Sequence, residues 1–364
     1  MKYRKNQRTG DKISEIGIGS AYLPESEHST AVEGVRFAFE NGVNYFDLAA
    51  GDGKAFPIFK DALADVRGQV LYQIHFGADY SKGTYGWTLD LDRVKRSVEW
   101  QLEQLGTDYI DYGFIHCQDE QSDWDTYQKN GILQYLQELR SAGVVKHIGM
   151  SSHTPAVIQT ILDTGIVDML MFSVNPSYDC QMGGEFAKGS VDERAAVYRR
   201  CETEGVGISV MKPFCGGQLL DAKTSAFGSA LTIYQCMKYA LDRPGVLTVL
   251  PGIRDKTDVE KLLAYYDRSE EELDYSVIGT FAPADANGKC VYCNHCKPCP
   301  AGLDVGLINK YYDLAKAGDG LAVQHYKALE KNASDCIACG HCDRRCPFHV
   351  NQSGRMKEIA AYFG

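Results

Sequence analysis

Eight of the chain's 13 cysteines fall between Cys290 and Cys346, in two short runs. The first reads Cys290-Val-Tyr-Cys293-Asn-His-Cys296-Lys-Pro-Cys299-Pro300. The second reads Cys336-Ile-Ala-Cys339-Gly-His-Cys342-Asp-Arg-Arg-Cys346-Pro347. The other five, Cys117, Cys180, Cys201, Cys215 and Cys236, are scattered through the first two-thirds. So sharp a shift in composition marks a junction just before the first run. The expected organisation is a large domain over 1–280 and a small cysteine-rich one over 281–364.

Thiols spaced this way hold metal. Three cysteines two residues apart can wrap one face of an iron–sulfur cubane, and the fourth ligand must come from farther along the chain. The second run has the C-x2-C-x2-C-x3-C-P spacing of bacterial ferredoxins, whose fourth cysteine binds the other cluster. The first run is one residue shorter before its last cysteine. The expectation is therefore two [4Fe–4S] clusters with crossed ligands. Cys290, Cys293, Cys296 and Cys346 serve one cluster, and Cys336, Cys339, Cys342 and Cys299 the other. Zinc also uses C-x2-C pairs, two for each ion. Four cysteines closed by proline, twice over, fit cubanes better. Between the runs, 304–317 and 320–332 read as two helices.

Composition narrows the partners. The formal charge is −10, from 48 acids against 38 bases. A nucleic-acid or anionic-membrane partner would want a basic face, so neither is expected. The segment MKYRKNQRTGDKISEIG has no apolar leader core, and no apolar run is long enough for a bilayer. The expected compartment is the cytoplasm, where thiols stay reduced and clustered cysteines bind metal rather than one another.

In the first 280 residues, strand-like and helix-like segments alternate. The strands are Gly17–Gly19, NYFDL, VLYQIHF, YIDYGFIH, VKHIGMS, DMLMFS, GISVMKP and VLTVLP. Helices are expected over 29–42, 54–66, 90–105 and 132–142, with others starting near Thr154, Val191, Ser225 and Thr257. Eight such units fit a (β/α)8 TIM barrel. A doubly wound sheet would carry a third glycine after Gly17-Ile18-Gly19, and it is missing. Barrel chemistry sits at the C-terminal strand ends. That selects Asp47, His75, His116, Ser151, Asn175 and Lys212 as candidates.

Several of these segments resemble the aldo-keto reductase family. YRKNQRTGDKISEIGIGS is similar to its capping hairpin and first strand, and TDYIDYGFIH to its fourth. GVNYFDLAAGDG, KHIGMSSHTP, VMKPFCGGQL and VLPGIRDKTDVEKL resemble strands 2, 5, 7 and 8. The resemblance spans roughly residues 1–270, and the cysteine runs resemble those of the family's ferredoxin-bearing branch. It implies NADPH-dependent carbonyl reduction by an Asp, Tyr, Lys, His tetrad. Asp47 and His116 match two members; Asp52 stands at the tyrosine position and His75 at the lysine position. A phenol donates a proton at neutral pH, whereas an ordinary carboxyl is already ionised. The two histidines are thus the expected proton carriers. The NADP(H) site is thinned. Ser151 is kept, Ser152 and Met171 replace the family's asparagine and glutamine, and Gly252 and Arg254 keep part of the strand-8 phosphate segment.

Three functions follow. The first is an iron–sulfur oxidoreductase reducing a small carbonyl or hydroxylated substrate with electrons relayed through the clusters, a ferredoxin or other redox protein being the donor. The second is an NADPH-dependent carbonyl reductase with structural or partner-docking clusters. The third is an inactive barrel that serves electron transfer.

Overall fold

The computed structural model describes residues 1–49, 51–80, 82–180, 187–280, 287–316 and 318–364. These form two compact units, each with its own core. One comprises Met1–Val174, Gly205–Pro213 and Val246–Asp267; the other comprises Asn175–Glu204, Phe214–Gly245 and Arg268–Gly364. The junction expected at 280 falls at the edge of the described residues.

The first unit holds eight parallel strands: β1 Ile18–Gly19, β2 Tyr45–Asp47, β3 Leu71–Phe76, β4 Ile110–Ile115, β5 Val145–Ser151, β6 Met169–Ser173, β7 Gly207–Met211 and β8 Val246–Val249. They pair in sequence order, and bridges between Ile16 and Val249 and between Gly19 and Gly252 bring the last strand back to the first. The sheet is the eight-stranded barrel expected from the sequence. An antiparallel hairpin, Tyr3–Lys5 with Lys12–Ser14, precedes it.

Alternation along the strands decides which side chains face inward. Tyr45, Tyr112, Phe114, Met169, Met171, Leu247 and Leu250 pack into one buried cluster. The same period of two carries this inward face from Tyr45 to Asp47 on β2, and from Phe114 to His116 just past β4. Gln73 and His75 share it on β3. The apolar layers therefore fill the barrel and leave polar groups at its C-terminal end.

Helices follow most strands: α1 His28–Glu40, α2 Ala55–Leu63, α3 Leu91–Leu105, α4 Gln121–Lys129, α5 Ile132–Ser141, α6 Pro155–Leu162, α7 Pro176–Asp179, α8 Val191–Glu204, α9 Ile233–Leu241 and α10 Lys256–Leu263. Asp90 caps α3 by accepting from the Arg93 N–H, and Gly106 ends it at φ +63°. The helix expected from Ser225 begins only at Ile233. Gly228 sits at φ +61°, and a reciprocal capping box between Thr232 and Gln235 fixes the start.

A further feature lies between β3 and α3, where a short antiparallel pair joins Ala78–Asp79 to Gly86–Trp87. It begins at Gly77, whose φ is +128° and where an added Cβ would lie 3.2 Å from His116 Cβ. Only glycine suits that turn.

The second unit contains α7, α8 and α9, then α11 Val305–Lys316, α12 Gly320–Lys327, α13 His341–Arg345 and α14 Gln352–Phe363. Ala317, the expected end of α11, lies outside the described residues. The helix expected to reach 332 stops at Lys327, and Asn332 instead caps a short 3-10 turn. Leu303, Val305, Ile308, Tyr312, Tyr326, Met356 and Ile359 form this unit's apolar core around Cys296 and Cys342. No helix among the described residues is long and apolar enough to cross a membrane.

Candidate active site and metal centre

Three of the expected barrel residues converge. Asp47 Oδ1 lies 2.8 Å from His75 Nε2, and His75 Nδ1 lies 2.9 Å from His116 Nδ1. All three side chains are buried. The chain of bonds then continues to a residue absent from the sequence-derived set: the Tyr85 hydroxyl is 2.7 Å from His116 Nε2.

One proton arrangement satisfies these three contacts with both imidazoles neutral. Tyr85 O–H donates to His116 Nε2, His116 Nδ1–H donates to His75 Nδ1, and His75 Nε2–H donates to Asp47. A neutral imidazole has one donor and one acceptor nitrogen, and each is used once. The electrostatics agree. Burial, then the neighbouring His75, pushes the His116 pKa well below its ordinary value. Burial, with Cys117 and Asp119 nearby, pushes the Tyr85 phenol up to about 12.

Gln73 fixes the far end. Its Oε1 accepts from Tyr45 O–H at 2.7 Å and from Ser209 O–H at 3.0 Å. Its Nε2 is thereby turned to donate to Asp47 Oδ1 at 2.9 Å. Asp47 receives two donors at one oxygen, which suits a carboxylate.

Asp52 does not join this group. Its Oδ1 accepts from the Lys54 N–H at 2.9 Å, and Lys54 Nζ is 3.9 Å from Oδ2. The local chain explains this: Asp52 stands just ahead of α2, where a carboxylate meets free N–H groups. Its backbone has another use. The Tyr85 N–H donates to Gly51 O at 3.0 Å, the Gly53 N–H donates to Gly83 O at 2.9 Å, and Asp52 bridges Thr84. The segment around Asp52 thus holds the segment that carries Tyr85.

A second polar group forms beside the first. Lys212 Nζ donates to His153 Nε2 at 2.8 Å, and His153 Nδ1 donates to Asp119 Oδ2 at 2.9 Å. Lys212 and Cys117 both adopt left-handed backbone, at φ +54° and +51°. Such residues cost on the order of 1–3 kcal/mol and gather at functional sites. Cys117, Asp119 and His153 bring a thiol, a carboxylate and an imidazole within 4.8 Å of one another. The Lys212 ammonium already occupies His153 and opposes a second cation there.

The remaining sequence candidates serve local structure. Ser151 Oγ accepts from the Cys117 N–H at 2.8 Å. Asn175 Oδ1 caps α7 by accepting from Tyr178 N–H. Gly252 lies against Tyr22, where a Cβ would come within 2.5 Å of the ring. Arg254 pairs with Glu25 at 2.9 Å and lies over the Tyr22 ring.

In the second unit the eight expected cysteines fall into two groups, all as free thiols. Cys290, Cys293, Cys296 and Cys346 line one small cavity, with Gly306 and Gln352. Cys299, Cys336, Cys339 and Cys342 line a second, with Cys296 at its edge. Burial raises the Cys293 and Cys342 thiols to about 12 and about 11. Thiols that converge on one cavity and have no disulfide partner suit a metal, whose charge repays the loss of their protons. The donor set, four thiols at each cavity, fits a cubane. His295, between two of these cysteines, donates from Nδ1 to Asp274 Oδ2 at 2.7 Å, and the same nitrogen lies 2.6 Å from Ser276 Oγ.

The model of the aldo/keto reductase family matches residues 15–229, more than half of the chain. This chain belongs to the aldo/keto reductase family. A second model, a 4Fe-4S dicluster domain, matches residues 286–350. Oxidoreductase YqkF of Bacillus subtilis is 30% identical over 176 residues, which cover 47% of this chain and 56% of that protein. L-galactose dehydrogenase of Arabidopsis thaliana is 28% identical over 197 residues, 49% of this chain and 59% of that protein. These alignments span little more than half the length of either relative. Aldo-keto reductase AKR11C1 from Bacillus halodurans, in its holo form, superposes with a TM-score of 0.64 at 21% identity. That match covers 78% of this chain and 97% of the other and shows the shared fold.

Within this family's frame, the nicotinamide contacts fit poorly among the described residues. Ser151 Oγ is bonded to backbone, Met171 Sδ accepts from Gln73 Nε2 at 3.1 Å, and Arg254 is held by Glu25.

Proposed function

We propose that this chain is an iron–sulfur oxidoreductase of the aldo-keto reductase type, reducing a small carbonyl or hydroxylated substrate at the barrel mouth. The grouping of eight thiols around two cavities is the observation that carries this reading. Cys290, Cys293, Cys296 and Cys346 would hold one [4Fe–4S] cluster, and Cys299, Cys336, Cys339 and Cys342 the other. When bound, such clusters supply electrons singly, received from a ferredoxin or another redox protein.

The barrel residues do the proton work. Asp47, His75 and His116 form a buried bonded series at the strand ends that reaches the mouth on the His116 side. Desolvation keeps His116 neutral, so it accepts and passes on a proton without holding charge. Lys212, through His153 and Asp119, places a cation beside this series that favours a substrate oxygen gaining negative charge.

The test uses anaerobically purified protein, small aldehydes and ketones, and reduced methyl viologen as electron donor. His116→Ala should lose about 10²–10⁴ in turnover while iron and sulfide content stay at the wild-type level. Full turnover in His116→Ala would remove the reaction from this end of the barrel. Submicromolar NADPH binding with NADPH-driven turnover would favour the nicotinamide-dependent reading instead.

A further inference from the structure

The family tyrosine is missing from its place in the sequence, yet a phenol stands at His116. We infer that Tyr85 is the catalytic proton donor of this barrel, and that His116, His75 and Asp47 form the wire that recharges it. The inference deepens the reading just given and rests on it.

The segment that would carry the family's tyrosine, 51–53, is bonded to the segment 83–85 that does carry one. The Tyr85 N–H donates to Gly51 O and the Gly53 N–H to Gly83 O, at 3.0 and 2.9 Å. The missing phenol is thus supplied by the neighbour of its usual bearer. Tyr85 is 40% exposed, whereas Asp47, His75 and His116 are each under 10%. It is the one member of the series that solvent or a substrate can reach. Its ring stands edge-on to His116, with centroids 5.7 Å apart.

The proton balance closes. In the reducing direction a proton from solvent first enters at Tyr85, the exposed member, and hops inward through His116 and His75 until the Asp47 carboxylate holds it. As the carbonyl oxygen takes the Tyr85 proton, the tyrosine oxygen takes the proton on His116 Nε2. His116 Nδ1 takes the proton from His75 Nδ1, and His75 Nε2 takes the proton from Asp47. One O–H bond forms on the product and one breaks at Asp47, and both imidazoles end neutral. The products of these hops are the bonds described above: Tyr85 to His116, His116 to His75, His75 to Asp47. The substrate carbon gains two electrons from a low-potential one-electron carrier, the class of reduced ferredoxin, and a proton from water. Alcohol oxidation runs the same hops backwards, and Gln73 keeps Asp47 oriented in both directions.

Two measurements test this. With reduced methyl viologen and a series of small aldehydes, Tyr85→Phe should lose about 10²–10⁴ in turnover, as should His116→Ala. Because the groups act in series, the double variant should be no more than a few-fold slower than either alone. If Tyr85→Phe keeps wild-type turnover while His116→Ala does not, Tyr85 is not the donor, and the proposed function still stands. If both keep it, the proposed function falls as well. The second measurement needs no substrate. Ring-nitrogen-labelled histidine should show the His116 proton on Nδ1 and the His75 proton on Nε2 at neutral pH. Removal of the Tyr85 hydroxyl should shift His116 Nε2. A resting His116 that carries its proton on Nε2, or that ignores Tyr85→Phe, would overturn the wire.

Discussion

Burial decides the charge of His116. Its pKa lies well below the ordinary value in the folded chain and near about 6.5 when the chain unfolds. Below that pH the unfolded chain binds a proton that the folded one refuses. This contribution to stability is therefore complete above about pH 6.5 and falls away as the pH drops toward the folded value. Urea midpoints measured from pH 7 to pH 5 should fall more steeply for wild type than for His116→Gln. Equal slopes would mean that His116 is not held neutral by the fold. The strand-end rule found Asp47, His75 and His116 because a period of two in strongly apolar strands can be read directly. Tyr85 escaped it, since it stands outside any strand, just before the two-residue Gly86–Trp87, where no period can be read. Its signal was the Gly-Thr-Tyr-Gly stretch at 83–86, which gives no hint of which strand end it will meet. Asp52 stands apart from that series for the opposite reason: its place in the family motif was clear, but its carboxylate, just ahead of a helix, accepts from the Lys54 N–H.

Short elements position this chemistry, so they are where the site can be loosened without touching it. Gly77 launches the hairpin at a φ that side chains avoid, and any Cβ there would press on His116. Gly77→Ala should cost more than about 1 kcal/mol in stability and lower turnover further by parting His116 from Tyr85. Chemical denaturation and steady-state rates on the same preparation separate the two effects; unchanged stability and rate would contradict this account of the turn. Long amphipathic helices such as α3 were legible from their caps and periods. The start of α9 was not, because the reciprocal Thr232–Gln235 cap outweighs the helix-compatible residues before it. α4 and α14 also went unread: their apolar residues are too few for a clear stripe.

Across the whole chain, the cysteine spacing was the most legible feature, because ligand spacing is a short-range constraint that survives any packing around it. The buried charge near it was not legible. Arg243 is buried, donates to Val291 O and Tyr275 O–H, and lies over the Tyr239 ring. Among the described residues no carboxylate reaches it within ion-pair distance. A buried cation without an ion-pair partner is expensive unless a negative group compensates it. Asp179 and Asp242 act on it from beyond that distance, and because Val291 follows Cys290, a cluster on that loop would add the charge of its thiolate ligands. Arg243→Met should lower the reduction potential of the cluster bound by Cys290, as read by electron paramagnetic resonance during a redox titration. An unchanged potential would assign Arg243 a packing role alone.

Iron and acid-labile sulfide, measured together on anaerobically purified wild type and Cys299→Ala, test the central claim most directly. The account predicts about eight of each in the wild type, the sum for two cubanes. Cys299→Ala should lose chiefly the cluster held by Cys336, Cys339 and Cys342. Stoichiometric zinc without sulfide, or loss of the Cys290 cluster in that variant, would contradict it.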